Sequence, residues 1–181
     1  MSSRSRSAEL APVPVEEPRD DLSAGAARGA GAGAWFLLGA AVVGLGISTY
    51  LTTLHYAGVA PICTTNGFIN CGSVLKSSYS VVPGTSIPVT VPGMIWFIVS
   101  GALALVAVLS ARRGVEEPEW LRPTHLIWCV LGLVSVLYFV FAELVKLHEL
   151  CEWCTGVHIL VFLCLLVTIA RVQRARAPSR G

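Results

Sequence analysis

The chain has 181 residues, of which 54% are hydrophobic and 13% charged, with a mean hydropathy of +0.69. So few charges cannot solvate a soluble domain of this size, which makes the chain an integral membrane protein. A net charge of +2, with arginines at the edges of apolar runs instead of in one patch, excludes nucleic acid as a partner.

Residues 1–33 are rich in Ser, Ala, Gly, Pro and Arg, include PVPVEEP and GAARGAGAG, and have no apolar periodicity. They read as a disordered tail. They do not read as a secretory signal, because about thirty polar residues come before an apolar run of full spanning length. Four apolar runs follow: Trp35 to Tyr56, Ile87 to Ser110, Leu126 to Leu147 and Cys154 to Ala170. A hydrocarbon slab ~30 Å thick needs about 20 helical residues, with roughly 17 to 25 tolerated, so all four can span. The expected fold is therefore an all-α integral membrane bundle of four transmembrane helices, occupying residues 34–172, with a basic tail at 173–181. Small residues (Gly39, Gly44, Gly46 and Ser48 in the first span, Gly93 and Gly101 in the second, Gly132 and Ser135 in the third) predict close helix approach.

Orientation follows from the basic residues. Arg4, Arg6, Arg19, Arg28, Arg112, Arg113, Arg122, Arg171, Arg174, Arg176 and Arg180 place 11 of 13 on one side, leaving Lys76 and Lys146 for the other. The positive-inside rule then makes both termini cytoplasmic and turns the loop from Ala57 to Ser86 outward, as expected of a multi-pass protein of the cytoplasmic (inner) membrane. In that loop Cys63 and Cys71 bracket TTNGFIN, whose Asn66-Gly67 favours a turn, and Val74, Leu75 and Tyr79 mark one face of a short interfacial helix. Pro83-Gly84 ends the helix, and Pro88 and Pro92 predict an irregular start to the second span, tolerated where backbone is buried in protein or lines a cavity.

The cysteines divide by context. Cys129 and Cys164 lie inside apolar runs as small hydrophobes. Cys63, Cys71, Cys151 and Cys154 lie at or beyond run ends, all on the outward, disulfide-permissive face. Cys151 and Cys154 form a Cys-x-x-Cys expected in the first turn of the fourth span, where free N–H groups and the helix dipole favour a thiolate while Glu152 opposes it. Cys-x-x-Cys is also half of a zinc site, but no second pair follows and Cys63 and Cys71 are wrongly spaced for a ribbon, so no metal is expected. Two dithiols on one face can pass electrons by exchange. Static bridges are the alternative, but a loop of about thirty residues holds no domain to staple, and a Cys-x-x-Cys ring is too short to restrain much chain.

STYLTTLHY at the end of the first span, Cys63 with Cys71 eight residues on, CGSVLKS from Cys71 to Ser77, IPVTVPG and CEWC from Cys151 to Cys154 together resemble the vitamin K epoxide reductase family over about Trp35 to Val172. The resemblance implies an oxidoreductase that makes disulfides in an extracytoplasmic partner and reduces membrane quinone, of menaquinone or ubiquinone type. By position, Cys154 would face the quinone, Cys151 would exchange with a loop cysteine, Cys71 being favoured, and Cys63 would pair with Cys71 and be regenerated by the outside partner. Ser77 matches a family serine near the loop cysteines, or is a polar residue on the wet face of the interfacial helix. His158, four residues after Cys154, would donate to a quinone oxygen or move a proton, or is a histidine satisfied by a neighbouring helix. An asparagine that contacts quinone in some relatives is replaced near Val89 and Thr90. Many bacterial relatives carry a fused thioredoxin-like domain after the last span; here a separate thioredoxin-fold dithiol oxidase is the implied partner. Glu143 and Lys146 fit an intramembrane ion pair, snorkelling or proton handling, and His55 and Tyr56 fit an aromatic belt or a cofactor contact. Two other functions are compatible with the residues: a reductase running outward, disfavoured because no cytoplasmic cysteine could accept electrons, and a scaffold with structural disulfides.

Overall fold

The computed structural model describes residues 19–64 and 66–176, with side chains from residue 31 onward. Helix α1 runs Arg19–Ala57, α2 is the short Cys71–Lys76, α3 runs Thr90–Arg113, α4 runs Leu121–Phe141 and α5 runs Glu152–Arg176. A 3-10 turn, Ser78–Ser80, follows α2, and a π-helical turn, Ala142–Leu147, extends α4. The apolar stretches Gly31–Ala57, Thr90–Arg113, Leu121–Leu147 and Glu152–Arg176 have 27, 24, 27 and 25 residues, enough for each to cross a bilayer. Side chains such as Val42, Ile127, Val134 and Leu137 are more than half exposed on the bundle surface, as lipid-facing residues are. The chain is an all-α, multi-pass membrane protein.

The helices run beyond the apolar runs at several points. The expected division at 33/34 falls inside α1, which is helical from Arg19, while residues 1–18 lie outside the described residues. The division at 172/173 falls inside α5, and of the expected basic tail only 177–181 lies outside the described residues. A helix already nucleated by a membrane span continues into Ala- and Arg-rich flanks at little cost. Apolarity marks the hydrocarbon segment, not the helix end. The same reason starts α4 at Leu121 instead of Leu126. At the start of α3, the irregular backbone is confined to residues before Thr90: Val82 N–H donates to Ile87 O (2.8 Å) and Val89 N–H to Ser80 O (2.9 Å), closing a small hairpin. Pro92 sits within the first turn of the helix, where its missing N–H has no intrahelical partner to lose.

Helix α1 packs most extensively on α3, α4 on α5, and α1 also on α5. Close approach uses particular glycines. A Cβ at Gly44 would fall on the Phe97 ring, and one at Gly132 would meet the Trp96 indole, whereas Gly39 and Gly46 face open space. The expectation of close approach at every small residue is thus corrected: Gly39 and Gly46 serve no packing seam. Helices α3 and α4 are also joined by reciprocal bonds, Trp96 Nε1–H to Trp128 O (3.0 Å) and Trp128 Nε1–H to Trp96 O (3.1 Å). At the end of the bundle remote from the loop, Glu117 accepts from Arg122 and Arg171, both at 2.8 Å, and Arg112 lies over the Trp35 ring.

Gly44→Leu is expected to lower stability by about 1–3 kcal/mol through overpacking against Phe97. Gly39→Leu, on an open face, should leave it unchanged; thermal unfolding of the two variants in detergent measures the difference.

Candidate redox site

The loop between α1 and α3 is built by local polar chemistry and then fastened to α5. Asn66 Oδ1 accepts from the N–H groups of Phe68 (3.0 Å) and Ile69 (2.9 Å), the turn that Asn66-Gly67 predicts. The chain leaving this turn pairs in parallel with Leu150: Leu150 N–H donates to Phe68 O (2.9 Å), and Asn70 N–H donates to Leu150 O (3.0 Å). Asn70 Oδ1 then caps α2 through Ser73 N–H (3.1 Å), while its Nδ2 donates to Glu149 (3.3 Å). The bridge pairs Ile69 with Leu150, and Cys71 and Cys151 lie two residues and one residue beyond it, so the pairing draws both cysteines into one packed cluster. Trp153 Nε1–H to Ile62 O (2.9 Å), Thr64 N–H to Glu152 Oε2 (3.2 Å) and the Tyr50 ring 5.1 Å from that of Trp153 secure the other arm of the loop.

Cys63 and Cys71 form a disulfide with Cα atoms 6.5 Å apart, and Cys151 and Cys154 are free thiols. All four belong to one packed cluster with Leu51, Val74 and Leu75. Cys71 and Cys151 are fully buried in it, whereas Cys63 and Cys154 are half-buried. Val74 and Leu75 are the buried face of α2, as expected, and Tyr79 is half-buried in the turn beyond.

Cys151 does not lie in the first turn of α5, as its spacing suggested; it immediately precedes Glu152, and its Sγ accepts the N–H of Cys154 at 3.4 Å. It therefore acts as a cap. The Cys154 thiol, then the N–H groups of Cys154 and Trp153, hold the Cys151 thiol below its ordinary range, against burial and the charge of Glu143. The direction left open by sequence is thus downward. Glu152, expected to oppose it, spends its carboxylate on Thr64 N–H instead.

Between the helices, beneath α2, lies a cavity of about 600 Å³, within the range of small-molecule sites. Its walls include Cys154, His158, Ser77, Val89 and Thr90, so the five residues expected around a quinone share one space. Cys63, Cys71 and Cys151 do not line it. Ser77 Oγ donates to Val74 O (2.8 Å), closing α2, and Thr90 Oγ1 is 2.7 Å from Thr52 Oγ1. Sequence reasoning did not assign Leu51, Trp96, Phe97 or Tyr138 to this wall, and it left Glu143 and His55 undecided; all six line the cavity. A signal for Trp96 existed in its place one turn after Pro92, on the span whose irregular start already implied a cavity. No Glu143–Lys146 ion pair forms among the described residues, and Lys146 Nζ lies 5.9 Å from the Phe141 ring centroid.

Two cysteine pairs packed together at the end of a four-helix membrane bundle, one of them at the wall of an apolar cavity, define a membrane thiol–disulfide oxidoreductase. The model of the vitamin K epoxide reductase family matches residues 35–169, and the chain belongs to that family. The family's enzymes couple thiol–disulfide exchange to a quinone cofactor and generally work with extracytoplasmic thiol-oxidase partners. A search of curated proteins gave no match to the chain.

Cys154→Ala removes the first-named cause of the depressed Cys151 titration. The Cys151 midpoint should therefore move up, read from thiolate ultraviolet absorbance in a Cys129→Ala, Cys164→Ala background with the loop disulfide intact. No upward movement would mean that the backbone N–H groups alone hold the thiolate.

Proposed function

We propose that this protein is the quinone-reducing generator of disulfides in an extracytoplasmic thioredoxin-fold partner, with its termini in the cytoplasm and its loop and Cys-x-x-Cys outside. The observation that carries the reading is the arrangement of the four sulfurs: all four share one packed cluster in which Cys71 and Cys151 are fully buried and Cys63 half-buried, and Cys154 alone of the four opens on the cavity. The orientation rests on the partition of basic residues and on the position of the Arg112, Arg122 and Arg171 cluster at the opposite end from the thiols.

A partner thiolate attacks Cys63 Sγ, breaking the Cys63–Cys71 bond and releasing the Cys71 thiolate. Cys71 then attacks Cys151 Sγ of an oxidised Cys151–Cys154 pair, and Cys154 leaves as a thiolate. Cys63, freed when the partner closes its own disulfide, attacks Cys71 and releases Cys151, so the loop bridge is restored and two electrons rest on the Cys-x-x-Cys. The N–H groups at the start of α5 favour the Cys151 thiolate as leaving group. The cavity fits a quinone head: Trp96 and Phe97 supply flat apolar walls, and His158, Ser77 and Thr90 supply polar atoms. A bound quinone of the menaquinone or ubiquinone class supplies the terminal two-electron acceptor. Cys154, on the cavity wall, is positioned to deliver the electrons.

Cys154→Ser should accumulate a Cys71–Cys151 bond, because the serine hydroxyl cannot close the ring or pass electrons on. Cys151→Ser should leave the loop bridge oxidised or bonded to its partner, with nothing joined to α5. Mass spectrometry of alkylated, non-reduced protein from cells distinguishes these states. Cys63 bonded to Cys151 would reverse the loop order, and no loop-to-α5 bond in any variant alongside normal quinone reduction would sink the relay. For orientation, reporters fused after Gly181 and within the Arg112 to Arg122 loop should both read cytoplasmic; one outside reading would break the assignment.

A further inference from the structure

Among the described residues, Glu143 is the one acidic side chain on the cavity wall. It is only 4% exposed, and its Oε2 is out of reach of solvent with no hydrogen-bond partner. A carboxyl so placed costs several kcal/mol against an apolar residue, and such a cost persists where the group has work to do. Ion pairing does not account for it, since Lys146 points to Phe141. Nor does the end of α4, because the N–H groups of His148 and Glu149 are received by the backbone oxygen of residue 143, which any residue provides. The side chain is delivered to the cavity by the π-helical turn Ala142–Leu147, a departure from α geometry of the kind that clusters at functional sites. Glu143 and Cys154 line the same cavity, and the carboxyl interacts with the thiol across it.

We propose that Glu143 is a catalytic proton relay between Cys154 and the bound quinone. The inference rests on the relay reading above and adds the proton path to it. Oxidation of the Cys151 and Cys154 dithiol to a disulfide releases two electrons and two protons, and reduction of a quinone to a hydroquinone takes up two of each. The Glu143 carboxylate accepts the proton of Cys154 Sγ as the sulfur gives up its electrons to the quinone, and the S–S bond to Cys151 forms. The carboxyl then donates that proton to a quinone oxygen and returns to the carboxylate. The second proton, lost by Cys151 to the outer aqueous phase when it becomes a thiolate, is returned to the quinone from water of that same phase. An apolar cavity leaves Cys154 no other acidic or carboxylate side chain through which to pass its proton.

The test uses the full chain in nanodiscs with menadione, a soluble naphthoquinone. Reduced wild-type protein, Glu143→Gln and Glu143→Asp are mixed with menadione, and the thiol states of Cys151 and Cys154 are followed by alkylation and mass spectrometry. Glu143→Gln should slow oxidation of the pair by about 10²-fold or more, the scale of a lost general acid–base group, with the dithiol accumulating. Menadione affinity, read by quenching of tryptophan fluorescence, should not move. Glu143→Asp, which keeps the acid but withdraws it by one methylene, should fall between the two. Oxidation of Glu143→Gln at the wild-type rate overturns the relay, as does a loss of menadione affinity that accounts for the slowing. If Glu143→Gln does not fold, Glu143→Asp alone decides: a wild-type rate overturns the proposal and a lowered rate at unchanged affinity supports it. Cys154→Ser in the same assay isolates the underlying reading, because continued menadione reduction by that variant would refute the thiol relay itself, whatever Glu143 does.

Discussion

Two backbone hydrogen bonds, Leu150 N–H to Phe68 O and Asn70 N–H to Leu150 O, hold the outer loop to the start of α5, and the redox geometry depends on them. Each bond of this kind contributes only about 1 kcal/mol net. Their importance is register. Residues 69 and 150 face each other across a bridge, so Cys71, two residues on, and Cys151, one residue on, cannot slide apart without breaking it. Asn70 adds the cap of α2 and a bond to Glu149, making a single side chain answerable for both the direction of α2 and the tie to the preceding turn. Helix α2, too short to be stable alone, is kept by this cap and by burying Val74 and Leu75. The same two side chains roof the cavity.

The two ends of the bundle are built differently. Away from the loop, Leu37, Ala40, Ala104, Cys129, Cys164 and Leu165 form a core of small and medium side chains, and Glu117 bridges Arg122 and Arg171. Cys129 and Cys164 belong to this packing, with Cys129 Sγ 3.7 Å from Thr168 Oγ1, and share no cluster with the outer cysteines. Toward the loop, α3 and α4 both line the cavity and are joined by the reciprocal Trp96 and Trp128 bonds. A rigid inner half therefore carries an outer half opened for a ligand. Gly44 against Phe97 keeps α1 tight on α3 where the opening begins.

Much of the fold was legible in the sequence because a bilayer demands so little: length, apolarity and closed backbone hydrogen bonding. Those constraints identify four spans but not where each helix stops, since polar Leu121 to His125 and Ala-rich residues before Trp35 remain helical outside the apolar window. Within the site, Cys63, Cys71, Cys151 and Cys154 were visible from residue type and position, and Ser77, Val89, Thr90 and His158 from resemblance. Glu143 was visible as an anomaly but its place was not. Residue spacing pairs it with Lys146 on an α-helix, whereas the π-helical turn changes the angular step there and sends the two side chains to different surroundings. Asn70 was missed because its partner, Glu149, is 79 residues away. Bonds of that range leave no local periodicity to read.

The arrangement also accounts for why four cysteines are used where two could carry the same electrons. A single dithiol able to meet both a water-soluble protein and a membrane quinone would have to be open to both phases, and water in the cavity would weaken the positioning and electrostatics on which electron delivery relies. Here Cys63 is half-buried in the loop, Cys154 opens on the cavity, and their cluster mates Cys71 and Cys151 are both fully buried. In the proposed relay a partner thiol cannot reach Cys154 and a quinone cannot reach Cys63, so electrons cross only by exchange between two sulfurs that meet neither substrate. The buried junction is therefore what keeps the two half-reactions in order, and its strength as a barrier comes from the same loop pairing that sets Cys71 beside Cys151.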